Sequence, residues 1–428
     1  MAALILILGV ISMVILHEGA HFVAAKGFNM KATEAFFGFG PRLWSMQRGE
    51  TEYGVKAIPL GGYVRIVGMN PFEEVAPEDE GRTYRENPFW KKSVVVLAGI
   101  ASHFLVAYLI FYVLALVYGI TEPTPEINVV QPVYFTPVEE VADERPIELV
   151  SGDVLVSIDG AAVYGADGFA VWSGATKAAG EVSAVVVDRD GELVTLETTD
   201  HPQPTPAGAS GVLAGDVIVE MAGRPIVEWG DFVVAAQGNP GETVALVVER
   251  DGQRVFLETT LLAVGDPPRG FFGVSPVAVQ RSVGVFGASS EAAQDLWFAV
   301  EQSVIGLVSL VTNFGGLLAA VFDSSSGVPE ASRPVSVVGL TRIAEASGIQ
   351  ATFVLLAFVN AFVGVLNFVP LYPLDGGHFA VALYEKIRGR EPDVRKLLPV
   401  AAVVVAFVVM LGLLGIYFDI VDPLQLPG

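Results

Sequence analysis

The chain has 428 residues, of which 52% are hydrophobic, and it carries a formal net charge of −22 with no cysteine. This composition is too apolar for an ordinary soluble protein and predicts several membrane spans joined to at least one soluble domain. The lack of cysteine excludes disulfides and cysteine-ligated zinc sites. Within residues 120–300, 27 Asp and Glu stand against 8 Lys and Arg, which argues against a nucleic-acid-binding surface.

The first predicted element is a membrane helix over 2–25, which has the length of about 20 residues that a bilayer requires. It contains His17, Glu18 and His21 in the pattern H-E-x-x-H. Histidines at i and i+4 point to the same face of a helix, so both imidazoles can reach one zinc ion. The glutamate can then act as general base on the attacking water. Ionisable residues inside a membrane-length apolar segment cost free energy. They therefore indicate a functional site, and an N-terminal helix with stray polar residues is the weaker alternative.

Residues 26–93 follow as a segment with ten Lys and Arg. Within it, 38–41 and 50–65 have the pattern of short strands with glycine turns, which predicts a β-hairpin. The hairpin is apolar enough to dip into the membrane beside the metal, where non-helical backbone must line a cavity or pack on protein. A plain cytoplasmic hairpin is the alternative, and periodicity does not choose between the two.

A second span is predicted at 94–119, and an acidic region with an internal repeat comes after it. Residues 152–160 match 215–223 at an offset of 63, and the Arg-Asp-Gly at 189–191 matches 250–252 at an offset of 61. Both units are rich in predicted strands. We therefore expect two tandem α+β domains, at 120–202 and 203–275, and the proline-rich stretch 202–206 is predicted to be a stiff linker.

Two further apolar stretches follow the repeats. Residues 296–322 belong to a predicted amphipathic or linker region, 276–352, and they are interrupted by Glu301, Gln302 and Asn313. This pattern predicts a helix that lies on the membrane or enters it partly, without crossing. The next stretch, 353–369, is the third predicted span.

The third span ends in the sequence N-F-V-P-L-Y-P-L-D-G-G, residues 367–377. Its prolines end the helix, and its glycines allow another segment to approach closely. A catalytic zinc ion needs a third protein ligand, with its fourth position open. Asp375 offers a carboxylate at this break, near membrane depth, and would be a suitable ligand. The alternative is that Asp375 only caps the next helix.

A fourth span, predicted at 397–418, completes the membrane part, and the basic residues orient it. The loops 26–93 and 379–396 contain 15 of the 25 Lys and Arg, which places both loops in the cytoplasm. The acidic region and both termini then face outward. With four crossings, Asp375 and the two histidines lie towards the same face of the membrane, whereas a fifth crossing through 296–322 would separate them.

These motifs together make the sequence similar to the bacterial site-2 proteases, the intramembrane zinc metalloproteases of peptidase family M50. The resemblance covers essentially the whole chain. The hairpin resembles the membrane-associated hairpin of this family, and the repeats resemble its PDZ domains. It implies that His17, His21 and Asp375 bind Zn²⁺ and that Glu18 is the catalytic base. It also implies a polytopic α-helical membrane protein of four spans, with a membrane-associated β-hairpin and two extracytoplasmic PDZ-like domains.

The same resemblance implies which residues hold the substrate. Asn367 and Asn360, on one span, would bind substrate backbone or the developing oxyanion, and Gly38 and Gly40 belong to the hairpin that would receive the substrate. One departure stands in the second span, where relatives often carry A-G-P-x-x-N and this chain has His103 in place of the asparagine. We expect His103 to hydrogen-bond between helices, although it is also a candidate to replace the asparagine or to lie near the zinc.

The activity that the resemblance implies is intramembrane zinc endopeptidase activity in a bacterial cytoplasmic membrane. The substrate would be a single-span protein, such as an anti-sigma factor already trimmed by another protease, or a remnant signal peptide. The PDZ-like domains are candidates to bind peptides, and no nucleic acid is expected. Two alternatives are a non-catalytic membrane scaffold and a metal transporter. The intact Glu18 argues against the scaffold, and the four spans with large outer repeats argue against the transporter.

Overall fold

The computed structural model describes residues 1–70, 73–131, 133–136, 147–149, 153–163, 181–189, 191–265, 267–322, 334–390 and 393–421. The fold divides into two compact units. Residues 1–119 and the described residues from 282 onward form the first, which we call the membrane unit. The described residues of 120–281 form the second, which we call the outer unit after the position that the sequence predicts for it. Gly152 and Asp190 of the predicted repeat lie outside the described residues.

The helices and strands are numbered in chain order. The helices are α1 (Ala2–Gly27), α2 (Phe89–Tyr118), α3 (Pro206–Ser210), α4 (Trp229–Gln237), α5 (Val285–Thr312), α6 (Phe314–Phe322), α7 (Val337–Phe368), α8 (Asp375–Arg388) and α9 (Leu398–Val421). The strands are β1 (Ala32–Arg48), β2 (Thr51–Ile66), β3 (Ile120–Val130), β4 (Val133–Thr136), β5 (Val154–Ile158), β6 (Ala161–Ala162), β7 (Ser183–Arg189), β8 (Glu192–Thr198), β9 (His201–Pro204), β10 (Val217–Met221), β11 (Arg224–Pro225), β12 (Thr243–Arg250), β13 (Gln253–Thr260), β14 (Leu262–Val264), β15 (Arg269–Phe271) and β16 (Val274–Arg281).

Five of the described helices are long and apolar enough to cross a membrane, namely α1, α2, α5, α7 and α9. The chain is thus a polytopic helical membrane protein with β-sheet regions. Four of the five helices cover the four predicted spans to within one residue, while α5 and α6 cover the stretch 296–322. Helix α7 starts well before the predicted residue 353, and a non-helical residue, Gly348 with φ 82°, interrupts it. Hydropathy identified only the apolar part after this break.

Helices α1 and α7 begin at the same end of the membrane unit. The amino group of Met1 lies 3.7 Å from Glu345, and Leu6 packs in one cluster with Leu356. Gly9 makes this packing possible, since a β-carbon there would come within 2.6 Å of the Leu356 side chain. The two helices therefore run in the same direction, and their later residues reach the same depth.

Helix α9 runs opposite to α7. Its buried Asp419 accepts hydrogen bonds from the backbone amides of Ser336 at 2.8 Å and Gly339 at 3.0 Å. Arg342 of α7 donates to the backbone oxygen of Asp419 at 2.6 Å. A carboxylate at a helix start satisfies amides that lack helical partners. The end of α9 is thereby fixed to the beginning of α7.

The predicted hairpin is present as the antiparallel pair β1 and β2, and both strands bend. Residues 32–37 lie beside 62–66 and also beside 52–55, while 42–48 lie beside 51–56. The bend in β1 falls at Gly38 and Gly40, whose φ angles are 88° and 80°. A β-carbon on Gly38 would come within 2.8 Å of the Ile58 carbonyl oxygen, so the fold of the hairpin requires glycine there.

The outer unit contains the repeat that the sequence predicted. Arg189 donates to both carboxylate oxygens of Asp153 at 2.7 Å, and Arg250 makes the same pair of 2.7 Å bonds with Asp216. The two ion pairs occupy equivalent positions of the repeat. Each repeat has its own apolar core, with Val185 and Val187 in the first and Leu246 and other residues in the second.

The strand order shows a connection that the repeat spacing did not predict. The second repeat's sheet has the order β13-β12-β10-β3-β16, with β11 paired to β10, whereas the first repeat's sheet has the order β6-β5-β7-β8. Strand β3 thus joins the second repeat, although the sequence predicted it at the start of a first domain over 120–202. The first repeat is inserted between β3 and the rest of that sheet. The stretch predicted as a linker, 202–206, is also structured, because β9 pairs with β4 and Thr205 caps α3.

Candidate metal centre

His17 and His21 lie one turn apart on α1 and point to the same side of it. Their Nε2 atoms are 3.2 Å apart, and the two rings meet edge to face with centroids 4.7 Å apart. Both side chains are largely withdrawn from solvent, with 14% and 9% of their surfaces exposed. The H-E-x-x-H motif therefore brings two imidazole nitrogens together, as its helical spacing predicts.

Asp375 reaches these histidines from the other half of the chain. Helix α7 ends at Phe368, two prolines interrupt the backbone, and α8 starts at Asp375. Asp375 Oδ2 lies 3.4 Å from His17 Nε2 and 3.2 Å from His21 Nε2. The glycines after Asp375 are needed for this turn, since a β-carbon on Gly377 would come within 2.7 Å of the Leu371 carbonyl oxygen.

The three ligand atoms form a triangle with edges of 3.2, 3.4 and 3.2 Å. A tetrahedral Zn²⁺ with bonds of about 2.0–2.1 Å holds its ligand atoms about 3.3–3.4 Å apart. Among the described residues, His17, His21 and Asp375 are the one set of three whose ligand atoms lie this close together. The set fits a zinc ion with a fourth position left for water or substrate.

Helix α2 supports the ligands from behind. His21 Nδ1 donates to the backbone oxygen of Val95 at 2.8 Å, which leaves Nε2 free to bind a metal. Gly99, one turn later, is in such close contact with the ligands that a β-carbon there would overlap His21 Nε2 and lie 2.8 Å from His17 Cε1. In the first turn of α2, Lys92 pairs with Glu385 of α8 at 2.7 Å. This pair helps to hold α8, and with it Asp375, against α2.

Glu18 faces the hairpin. A β-carbon on Gly62 would come within 3.1 Å of Glu18 Cγ, and the backbone amide of Val64 interacts with the Glu18 carboxylate. A groove of about 370 Å³ begins here and is lined by α1 and the hairpin, including Phe36 and Trp44. Glu18 thus borders an apolar groove on the side of α1 that faces the hairpin.

The predicted substrate residues do not join the ligand set. Asn360 is 1% exposed and lies beside His103, whose Nδ1 is 3.5 Å from Asn360 Oδ1. Asn367 is half-buried near the end of α7. Gly38 and Gly40 shape the bend of β1. Roles in binding substrate remain predictions for all four residues.

Sequence reasoning missed the support that α2 provides. The backbone oxygen of Val95 carries no side-chain signal, so no motif could identify it. Gly99 did have a signal, since a glycine within an apolar helix often marks a close approach. His103 contacts another helix, as predicted, through Asn360 of α7. The centroid of its ring also lies 4.8 Å from the centroid of the His17 ring.

The chain is similar to known proteins along nearly all of its length. A family model described as peptidase family M50 matches residues 4–411. The chain is 30% identical over 452 residues to zinc metalloprotease Rip1 of Mycobacterium tuberculosis, covering 98% of this chain and 97% of the relative. It is 27% identical over 425 residues to the regulator of sigma-E protease RseP of Salmonella typhimurium, and 26% identical over 427 residues to RseP of Escherichia coli, covering 91% of each chain.

Proposed function

Since the chain belongs to peptidase family M50, it is a zinc metalloprotease, and we propose that it cleaves the membrane-spanning segments of single-span proteins within the bilayer. One observation carries the proposal. The triangle of His17, His21 and Asp375 is built from two apolar, membrane-length helices and the turn that follows one of them. A hydrolytic centre at this position acts on a peptide that is itself within the membrane.

Glu18 performs the proton transfers. As general base it takes a proton from the attacking water, whose oxygen forms the new bond to the substrate carbonyl carbon. The peptide C–N bond then breaks, and Glu18 returns the proton to the departing amine nitrogen. Zn²⁺, when bound by His17, His21 and Asp375, polarises the reacting oxygens. The amide of Val64 and the close packing of Gly62 keep the carboxylate in place.

The hairpin is suited to present the substrate. A helical segment must open before cleavage, because its amides are hydrogen-bonded to one another. Residues 62–66 pair with 32–37 on one side, and among the described residues no strand pairs with their other side. An opened peptide can add there as a further strand, which would place it next to Glu18. Asn367, Gly38 and Gly40 are proposed to assist this binding directly, and Asn360, which is 1% exposed, is proposed to assist only from behind His103.

The names of relatives support one substrate class. RseP is named as a regulator of sigma-E, and a single-span anti-sigma factor, already trimmed by another protease, is the substrate we propose for this chain. Remnant signal peptides are a second group with the same chemistry, since each is an isolated apolar span. The location proposed is the cytoplasmic membrane of a bacterium, with the outer unit on the extracytoplasmic side.

We also propose four crossings, with α5 and α6 entering the membrane and returning. Arg281, just before α5, pairs with Ile120, just after α2, so α5 starts at the outer end of α2. At the other end of this segment, Leu317 of α6 packs with Leu414 and Phe418 near the end of α9. That end also caps the start of α7. Both ends of the α5–α6 segment therefore lie towards the outer side.

The deepest part of this segment is the turn between the two helices. Phe314, at the start of α6, contacts Phe407 near the middle of α9, with ring centroids 5.0 Å apart. The first half of α5 packs against α2, in a cluster that extends to Ala299, and Tyr108 and Ser289 are hydrogen-bonded at 2.8 Å. These contacts fit a segment that turns back at the middle of the membrane. Such a turn keeps the proposed zinc ligands towards the same face of the membrane.

The two repeats of the outer unit are proposed to be PDZ-like domains. Their proposed roles are to bind peptides and to exclude substrates with bulky folded ectodomains, so that only trimmed proteins reach the site. The chain leaves and re-enters the membrane unit at neighbouring points, because Ile120 pairs with Arg281. The acidity of residues 120–300 also disfavours acidic ectodomains within a Debye length of about 8 Å.

The activity is tested with the purified chain and a single-span substrate reconstituted together in liposomes. Cleavage within the span should stop when zinc is removed by a chelator and return when zinc is added. A scaffold would cleave nothing, and a transporter would move metal without cleaving the substrate. Zinc-independent cleavage, or none by the zinc-loaded protein, would rule out the proposed function.

A further inference from the structure

His103 is a buried histidine that the chemistry described so far does not use. It lies on α2, one turn after Gly99, and is 2% exposed. Residues four apart share a face of a helix, so His103 lies on the face of α2 that contacts the metal ligands. Its ring is 4.8 Å from that of His17 and tilted by 32°.

Asn360 fixes which nitrogen of His103 carries hydrogen. Asn360 Nδ2 donates to the backbone oxygen of Leu356 at 2.8 Å, which settles the orientation of the amide group. Asn360 Oδ1 then faces His103 Nδ1 at 3.5 Å. An amide oxygen only accepts hydrogen bonds, so Nδ1 of the neutral imidazole holds the hydrogen and Nε2 holds a lone pair.

The lone pair of Nε2 has no internal partner. Across the described part of the chain, no group forms a hydrogen bond with this buried atom. Buried polar atoms nearly always have a partner, and those that do not are often found at functional sites. The metal is not that partner, because the close set of ligand atoms comprises His17, His21 and Asp375 without His103.

We propose that His103 is a further catalytic residue, whose Nε2 accepts a hydrogen bond from the water that attacks the substrate. A water molecule has two hydrogens, and Glu18 takes one of them. Glu18 lies beside the hairpin, whereas His103 approaches from α2, so each hydrogen can have its own acceptor. With both hydrogens directed, the lone pair that attacks the carbonyl is oriented before the reaction. Asn360 is then a positioning residue that acts through the tautomer of His103.

The proposal rests on the proposed peptidase function, and its experiment includes a measurement that needs no substrate. The protein, labelled with ¹⁵N at its five histidines, is studied by NMR in detergent, and His103→Gln identifies the His103 signals. We expect Nδ1 to be protonated and Nε2 to be neither protonated nor bound to metal in the zinc-loaded protein. A protonated or metal-bound Nε2 would overturn the proposal whether or not cleavage is observed.

The kinetic arm compares three variants with wild type. His103→Leu should keep its zinc and lose roughly tenfold in kcat, the effect of one neutral hydrogen bond, with a smaller change in KM. His103→Gln, which offers an acceptor oxygen, should recover part of that loss. Asn360→Leu should lower kcat in wild type but add little to His103→Leu, because its effect passes through His103.

His201→Leu serves as the matched control, since it removes a histidine from the outer unit. It should cleave at the wild-type rate. If wild type itself cleaves nothing, the proposed function fails and the NMR result still decides the tautomer. If wild type cleaves and His103→Leu equals it in kcat, or if His103→Leu loses its zinc, the catalytic role proposed for His103 is wrong.

Discussion

Gly99 of α2 and His21 of α1 are in such close contact that a β-carbon on Gly99 would lie 2.2 Å from His21 Nε2. The helix behind the metal site can therefore carry only glycine at this point. We predict that Gly99→Ala displaces the two imidazoles, lowers zinc affinity by about 10–100-fold and reduces cleavage at least as much. Metal analysis and cleavage assays of the purified variant measure both effects.

Gly306→Ala is the control for that substitution, because no atom lies within 4 Å of a β-carbon added at Gly306 of α5. It replaces the same residue type in another long helix of the membrane unit. It should retain zinc and activity. Equal zinc affinity in the two alanine variants would show that the contact of Gly99 with His21 does not limit the site.

Substitutions of Glu18 and Asp375 are expected to affect zinc binding and cleavage differently. Glu18→Gln keeps the three ligands and nearly the same volume, so it should bind zinc normally while cleavage falls by about 10²–10⁴-fold. Asp375→Ala leaves two protein ligands and should lose zinc itself. The comparison requires the zinc content and cleavage rate of each variant. A zinc-loaded Glu18→Gln protein that cleaves at the wild-type rate would refute the assignment of the base.

The grouping of His17, His21 and Asp375 was largely predictable because local patterns encode it. The spacing of His17 and His21 encodes a helical face, and the break in the chain before Asp375 is encoded by prolines and glycines. The position of β3 was not predictable, because strand pairing between residues far apart leaves no spacing in the sequence. The extent of α7 was also missed, since Gly348 divides it and hydropathy reports only its apolar part.

The return of α5 and α6 can be tested by labelling single cysteines, because the chain has none of its own. Ser282 and Val337 are both exposed and lie before α5 and at the start of α7. We predict that Ser282→Cys and Val337→Cys are both modified by a membrane-impermeant reagent from outside. Arg388→Cys, at the end of α8, should react only after permeabilisation. Labelling of Ser282→Cys and Val337→Cys from opposite faces would contradict four crossings.

The ion pairs of Glu50, at the turn of the hairpin, should make the stability of the protein depend on pH. Arg82, together with Lys26, holds the pKa of Glu50 at about 2, below its ordinary value of 4.5. Because the pKa of Glu50 is lowered in the folded protein, its ion pairs stabilise the fold above about pH 4.5. This stabilisation is lost as the pH falls towards about 2. We predict that Glu50→Gln lowers the thermal midpoint at pH 7 by a few degrees and that the difference shrinks over this pH range. Glu86→Gln, at an exposed site, is the control and should change little at either pH.

The proposed exclusion of bulky substrates can be tested by replacing residues 120–281 with a flexible linker. This cut follows the unit boundary and keeps β3 with its partner β16, which a shorter deletion would separate. If the outer unit restricts access, the shortened enzyme should cleave full-length and trimmed substrates at similar rates, while the intact enzyme prefers the trimmed one. An active shortened enzyme with an unchanged preference would mean that the repeats only bind partners.

The pairing of β3 with β16 also sets an order of events during synthesis. Strand β3 is made directly after α2, but β16 is made only after both repeats. During translation, β3 must therefore wait without its long partner while the first repeat folds, since domains fold as units while the chain is being made. The outer unit can close once β16 is made, which is before α5 and Asp375 are made. A nascent chain can therefore complete its outer unit before it can bring Asp375 to His17 and His21.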